Sequence, residues 1–308
     1  MRLAPGWSTL TAACLLCGCF GSEDVPPERM PRFERPAAPP QVVLALGSGG
    51  PRGFAHIGVL KALEAEGIHP DMVVGASVGA MVGALFAGGM NATELEKAAR
   101  AINVLEFFEF RMLGGRLATG RAVQVYVNQH LKGRPLEALP IAFAASATRV
   151  SDRKLVLFNR GDAGLAVRAS SATIEQFDPV RIGDDLYVDG DESSPVPIRA
   201  ARSLGAKVVI GVDVSAFAED TPTGVPQEWI DKDARRARQV AAESHEADIV
   251  LHPNIGYYAG FSEEYRARVM GAAERYTREQ MPAIKAALAR AGVQTASTTR
   301  RPSGETSR

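Results

Sequence analysis

Ser77 stands at the centre of Gly75-Ala76-Ser77-Val78-Gly79, between the apolar run Met72-Val73-Val74 and the helix-like run Ala80 to Phe86. A serine on a sharp strand-to-helix turn is a candidate nucleophile. The turn forces a strained backbone, and the small residues two before and two after it, Gly75 and Gly79, keep it free of clashes. The helix beginning there also points its free N–H groups and positive dipole end at any charge that develops. Upstream, Gly47-Ser48-Gly49-Gly50-Pro51-Arg52-Gly53 occupies a second position where backbone N–H groups can converge on an anion. The oxyanion of an attacked ester carbonyl is such an anion, and each preorganised donor lowers a barrier by about 3 kcal/mol. Dinucleotide binding is the competing use of a glycine-rich loop. The spacing is not a clean G-x-G-x-x-G, no acidic residue ends the second strand, and no Lys-Ser/Thr follows the glycines as a phosphate loop requires.

The elements that must carry these residues are legible in outline. Val42 to Leu46 is a short apolar run ended by the glycines, as expected of a buried strand entering a tight loop. Phe54, Ile57, Leu60 and Leu63 give the following helix an apolar face, Gly67 stops it, and the strand before Ser77 completes a β-α-β start. Asn91 with Glu94 three residues on predicts a capped helix over about 92–102, and Thr119 predicts another toward Leu131. Strands are expected at 141–148, 155–158, 186–189, 207–212 and 249–251. Phe261, Tyr265, Val269, Ala272 and Tyr276 recur at helical spacing, and a last helix is expected over 281–291.

Composition narrows the class. With 308 residues, 46% of them hydrophobic, the chain can bury one substantial core. Lys plus Arg and Asp plus Glu both number 35, so there is no electrostatic case for a nucleic-acid partner. The densest basic cluster, Arg235, Arg236 and Arg238, has Asp231, Asp233 and Glu243 near it and reads as a solvated helix face. His56, His69, His130, His245 and His252 are scattered, and the cysteines, Cys14, Cys17 and Cys19, all lie near the N-terminus. Neither set has metal-ligand spacing, so no metal is expected, and the folded part uses no disulfide. Residues 1–19 have the make-up of a leader too short to span a membrane. Leu16-Cys17-Gly18-Cys19 resembles the bacterial lipoprotein signal, in which cleavage before the cysteine leaves a lipidated N-terminus; Cys19 would then be a membrane anchor. Residues 20–40, with six prolines, read as an extended linker, 41–294 as one domain, and 295–308 as a disordered tail.

The motifs from Leu46 to Leu60, Gly75 to Gly79, and Tyr187-Val188-Asp189-Gly190 resemble those of the patatin-like phospholipases, over about 42–292. That resemblance implies a three-layer α/β/α fold with a mostly parallel sheet, hydrolysis of lipid acyl esters, and no metal or organic cofactor. By the same resemblance Ser77 is the nucleophile, Asp189 the base of a Ser-Asp dyad, and Gly49 and Gly50 the oxyanion donors. Gly47, Arg52, Gly53, Gly75, Gly79 and Gly190 support the motif. An anchored lipid hydrolase facing the periplasm from the cell envelope is the expected setting, with a cytoplasmic one the alternative.

A carboxylate is a poor match for deprotonating a hydroxyl at neutral pH, so a dyad demands tight geometry and partial burial. His245 and His252 follow Asp189, which leaves the order of a Ser-Asp-His triad formally present. His56 reads as a packing or hydrogen-bonding residue. The family has a small residue after Asp-Gly where this chain has Asp191, and a second carboxylate so close either raises the pKa of Asp189 or points to solvent. The stretch Ser170-Ser171-Ala172-Thr173 lacks the family's proline-glycine. Arg52 is suited to orienting the glycine loop, attracting an anionic head group or forming a surface salt bridge. Two further hypotheses are a lipid-binding lipoprotein of the same fold with little or no turnover, for which Asp191 is the warning sign, and a nucleotide-binding α/β protein.

Overall fold

Alternate residues of the strand Val42–Leu46 (β1) belong to two different cores. Val42, Leu44 and Leu46 pack into one, Val43 and Ala45 into the other, and all five are buried. A strand covered on both faces needs an unbroken apolar run, which is what the sequence supplies. The computed structural model describes residues 25–107, 118–174 and 176–294. In chain order, β1 is followed by helix α1 (Phe54–Ala65), β2 (Met72–Ala76), α2 (Val78–Ala87), α3 (Ala92–Ala101) and α4 (Arg121–His130). Then come β3 (Ala142–Arg149), β4 (Leu155–Phe158), α5 (Ala163–Ser170), β5 (Val180–Ile182) and β6 (Asp185–Asp189). The chain continues with α6 (Ile198–Ser203), β7 (Val208–Val212), α7 (Gln227–Ser244), β8 (Ile249–Leu251) and α8 (Glu263–Arg290).

The sheet runs β5-β6-β3-β2-β1-β7-β8, with β4 on β3 outside that path. Pairings from β3 through β2, β1 and β7 to β8 are parallel, and those of β4, β5 and β6 antiparallel. Helices α1, α2, α4, α5 and α8 fill the larger core on one face, while α6 and α7 cover the smaller core on the other. The result is the expected three-layer α/β/α arrangement. Asn91 and Glu94 form the reciprocal capping box foreseen at the start of α3.

Two register facts place the site. Parallel pairing of Leu46 with Gly75 brings the C-terminal ends of β1 and β2 side by side, so the glycine loop and the Ser77 turn leave the sheet together. Ala76 pairs with Ser146 of β3, and the next β3 residue, Ala147, pairs with Asp189 on antiparallel β6. Residues far apart in sequence therefore meet at one edge, the usual ligand end of an open α/β sheet.

Two expectations change. The last two helices are one: α8 runs 28 residues straight through Pro282. Its buried stripe, Val269, Ala273, Thr277, Met281, Ile284 and Leu288, is continuous across the proline, so tertiary burial outweighs the lost hydrogen bond. Gly58 allows this long helix to approach α1, since a Cβ there would lie 2.0 Å from the Met270 carbonyl oxygen. The second change concerns the proline-rich stretch, whose described part is strapped to the domain. Arg32 bridges to Arg160, the Asp162 N–H donates to the Arg29 oxygen at 2.7 Å, and Val25 and Met30 pack on the core. An extended backbone leaves its carbonyl and N–H groups free, and the β4–α5 connection uses them. Cys14, Cys17, Cys19 and the 295–308 tail lie outside the described residues.

Candidate active site

Ser77 has φ 54° and ψ −125°, a left-handed backbone for a residue with a side chain. Such a conformation costs on the order of 1–3 kcal/mol and persists only where the surroundings fix it. Here the Ser77 N–H donates to Ser170 Oγ at 3.0 Å, and that hydroxyl donates to the Ser146 oxygen at 2.6 Å. The Ser77 carbonyl accepts from Ala80 and Met81 and so starts α2. Glycines make the turn possible by close approach: a Cβ on Gly75 would lie 2.5 Å from Ala80 Cα, and one on Gly79 would lie 2.3 Å from the Leu46 oxygen.

The strained turn aims Ser77 Oγ at Asp189 Oδ2, to which it donates at 2.7 Å. Oδ2 also accepts from Thr173 Oγ1 at 2.9 Å, and Oδ1 accepts the Asp191 N–H at 2.9 Å. Both partners are sequestered, Ser77 at 8% and Asp189 at 3% exposure. Burial, and next the negative charge of Asp191, push the Asp189 carboxyl from 3.8 up to about 7 against the pull of its hydrogen bonds. The mismatch expected of a carboxylate base is thereby much reduced, because a base is best poised near the working pH.

Above this pair, the glycine loop carries Gly49 at φ 154° and Gly50 at φ 54° into a short 3₁₀ turn over Gly50–Gly53. Among the described residues neither the Gly49 nor the Gly50 N–H donates to a backbone carbonyl. His56 sits under the loop and donates Nε2–H to the Gly47 oxygen at 2.8 Å. Burial drives its pKa down to about 4, so the ring is neutral at physiological pH and serves as a hydrogen-bonding strut. Arg52 donates to the Tyr257 carbonyl and faces the Tyr257 ring at 6.0 Å, which ties the loop to the segment after β8.

Neither later histidine bonds to Ser77 or Asp189. His245 caps the end of α7 at the surface, and His252 stacks on Phe217 with ring centroids 3.9 Å apart while its Nε2 lies 3.0 Å from the Ser215 oxygen. The Ser-Asp-His alternative is not assembled. Among the described residues no group of His, Cys, Asp or Glu has the arrangement of a metal site. No described helix is long and apolar enough to cross a membrane.

Two features depart from the sequence reading. Asp191 does not point to solvent: β6 ends at Asp189, and the turn over Gly190–Glu192 folds Asp191 back onto Ser48 and Arg236. Arg236, expected on a solvated face, has a side chain only 12% exposed. Ser170 and Thr173, in the stretch singled out for its missing proline-glycine, are direct partners of the Ser77 turn and of Asp189. Their hydroxyls were the available signal; nothing in the local pattern marks Arg236.

A family model described as patatin-like phospholipase matches residues 44–202. An uncharacterised NTE family protein of Mycobacterium tuberculosis is 31% identical over 208 residues, covering 65% of this chain and 58% of its own length. The lysophospholipase NTE1 of Coccidioides immitis is 30% identical over 199 residues, 63% of this chain and 13% of its own length. Human patatin-like phospholipase domain-containing protein 6 is 32% identical over 186 residues, 58% of this chain and 14% of its own. The match thus spans little more than half of the first relative and about one seventh of the other two. Among solved structures, VipD of Legionella pneumophila shares the fold with a TM-score of 0.54 at 14% identity, over 84% of this chain and 70% of its own.

Proposed function

The chain belongs to the patatin-like phospholipase family, and from that premise we propose that it is a serine lipid acyl hydrolase working through a Ser77–Asp189 dyad. The observation that carries the proposal is the 2.7 Å hydrogen bond from Ser77 Oγ to Asp189 Oδ2 at a strained, buried strand-to-helix turn. In the first step Ser77 Oγ attacks the ester carbonyl while its proton passes to Asp189 Oδ2. The Gly49 and Gly50 N–H groups hold the oxyanion, and the positive end of α2 adds to the same field. Collapse of the intermediate breaks the ester bond, and the leaving alkoxide takes the proton from Asp189. Water then attacks the acyl-serine, giving its proton to Asp189 and releasing the fatty acid as the proton returns to Ser77.

Glycerophospholipid and lysophospholipid esters are the substrates proposed, with support from the lysophospholipase name of one relative. Lipidation at Cys19 would hold the domain at a membrane of the cell envelope, a setting that brings the site to its substrate. The inactive lipid-binding alternative rested on Asp191. That carboxylate is paired with Arg236 and not left alone beside the base, which favours the hydrolase reading.

A fluorophosphonate probe, combined with release of fatty acid from phosphatidylcholine and lysophosphatidylcholine, tests the proposal. Wild type is expected to label and hydrolyse, whereas Ser77→Ala and Asp189→Asn lose both. Labelling that survives Ser77→Ala overturns the assignment of the nucleophile.

A further inference from the structure

Helix α7 packs over the smaller core and turns Arg236, Val240 and Glu243, spaced by four and three, toward the sheet. From there Arg236 reaches two separate parts of the site. Its Nη1 donates to Asp191 Oδ1 and to Ser48 Oγ, and its Nη2 donates to the Ser48 carbonyl oxygen at 2.9 Å. Ser48 Oγ in turn donates to Asp191 Oδ1. Asp213, buried at the end of β7, lies 3.6 Å from Nη2 and supplies a second carboxylate. Ser48 is the residue before Gly49, and the Asp191 N–H holds Asp189 Oδ1. One guanidinium therefore joins the donor loop to the turn that carries the base.

We propose that Arg236 is a positioning residue of the hydrolase: it locks the Gly49–Gly50 loop onto the Asp189 turn and offsets the charge of Asp191 beside the base. The proposal rests on the dyad and oxyanion assignments above. A planar fork suits this task because it presents several donors in fixed directions, whereas an ammonium offers a point charge. The charged groups of this network sort by element. Asp191 and Glu192 come from the turn after Asp189, Glu192 being paired outward with Arg153; Arg236 comes from α7 and Asp213 from the end of β7, both reaching Asp189 only by way of Asp191 and Ser48; His56 of α1 is neutral, and Ser77 and Thr173 present hydroxyls to Asp189. Loss of the arginine leaves Asp191 uncompensated and strengthens its repulsion of ionised Asp189. Loss of the Asp191 charge removes that repulsion. A merely structural anchor would change stability in both cases without moving the titration of the base in opposite directions.

The test is kcat/KM against pH for hydrolysis of p-nitrophenyl butyrate by the full chain and by Arg236→Met, Arg236→Lys, Asp191→Asn and Ser77→Ala, with a thermal melt of each. Arg236→Met is expected to lose about 10- to 100-fold in kcat/KM at pH 8, the scale of a misplaced catalytic loop, with its acid limb moved up by about one pH unit. Arg236→Lys keeps the wild-type limb and recovers part of the rate. Asp191→Asn moves the limb down by about the same amount. Arg236→Met with a wild-type limb, or a limb displaced the same way in both variants, overturns the proposal. If Arg236→Met fails to fold, Arg236→Gln takes its place, and a wild-type limb there overturns the proposal. Ser77→Ala separates the two levels: residual wild-type activity there defeats the dyad itself, whereas an inactive Ser77→Ala beside an unmoved limb defeats only the role of Arg236.

Discussion

Asp189→Asn should stabilise the protein as it cuts activity, and the gain should depend on pH. In the unfolded chain the carboxyl loses its proton near 3.8; in the fold burial and Asp191 hold it to about 7. The native state thus binds the extra proton between those values. Stability supplied by the protonated form is complete below about 4 and is lost as pH rises through about 7. At about 1.4 kcal/mol per pH unit, ionising Asp189 costs the fold roughly 4 kcal/mol by pH 8. Asparagine imitates the protonated acid without titrating: its oxygen can accept the Asp191 N–H, and its amide can donate to the hydroxyls of Ser77 and Thr173. The advantage of the variant over wild type, measured by urea unfolding, should grow by about 2–3 kcal/mol between pH 5 and pH 8. The melting temperature should rise by roughly 5–15 °C at pH 8. Fatty-acid release should fall by about 10²–10⁴, the worth of a general base, and the acid limb of the wild-type profile should lie near pH 7. Stability curves that stay parallel from pH 5 to pH 8 would refute the argument, because no proton would then be held by the native Asp189.

Other perturbations follow from the same contacts. Ser170→Ala leaves the Ser77 N–H and the Ser146 oxygen without their partner, so it should cost about 1–3 kcal/mol in urea unfolding and lower kcat/KM by at least about tenfold as the strained turn relaxes. Gly79→Ala drives a methyl into the Leu46 carbonyl, 2.3 Å away, and circular dichroism should show a protein that fails to fold or melts far below wild type. A chain beginning at Gln41 loses the Arg29–Asp162 ion pair, the Arg32–Arg160 bridge and the cover of Val25 and Met30. Chemical denaturation should show it less stable by about 2–4 kcal/mol, since each net hydrogen bond is worth about 1 kcal/mol and buried apolar groups add to that.

Local signals carried much of this protein. The serine elbow, the glycine loop, the Asn91 capping box and the apolar runs of β1, β2 and β7 are short-range patterns in which neighbouring residues fix the backbone, so they were legible without a fold. The tyrosine-valine-aspartate-glycine motif pointed to Asp189 only by likeness to a family. What chose Asp189 over His245 and His252 was sheet register: β3 pairs in parallel with the strand before Ser77 and antiparallel with the strand ending at Asp189, a non-local fact. His252 is engaged elsewhere, with Phe217 and Ser215, and His245 lies exposed at the end of α7.

Tertiary structure alone decided the rest. Periodicity marks a buried helix face by its apolar residues, and the inward face of α7 instead carries Arg236 and Glu243, each matched to partners from distant segments. The mixed charges around Arg236 in sequence therefore read as a solvated face, and only the packing of α7 brings Arg236 to Asp191 and sets the direction of that carboxylate. The proline-rich strap is a related case: its composition describes a stretch without a core of its own, but its backbone groups find partners on the β4–α5 connection. The sequence determined which residues could do chemistry and the strands and turns that bear them. Burial and long-range pairing determined which carboxylate faces the serine, how its proton is held, and which arginine fastens the loop above it.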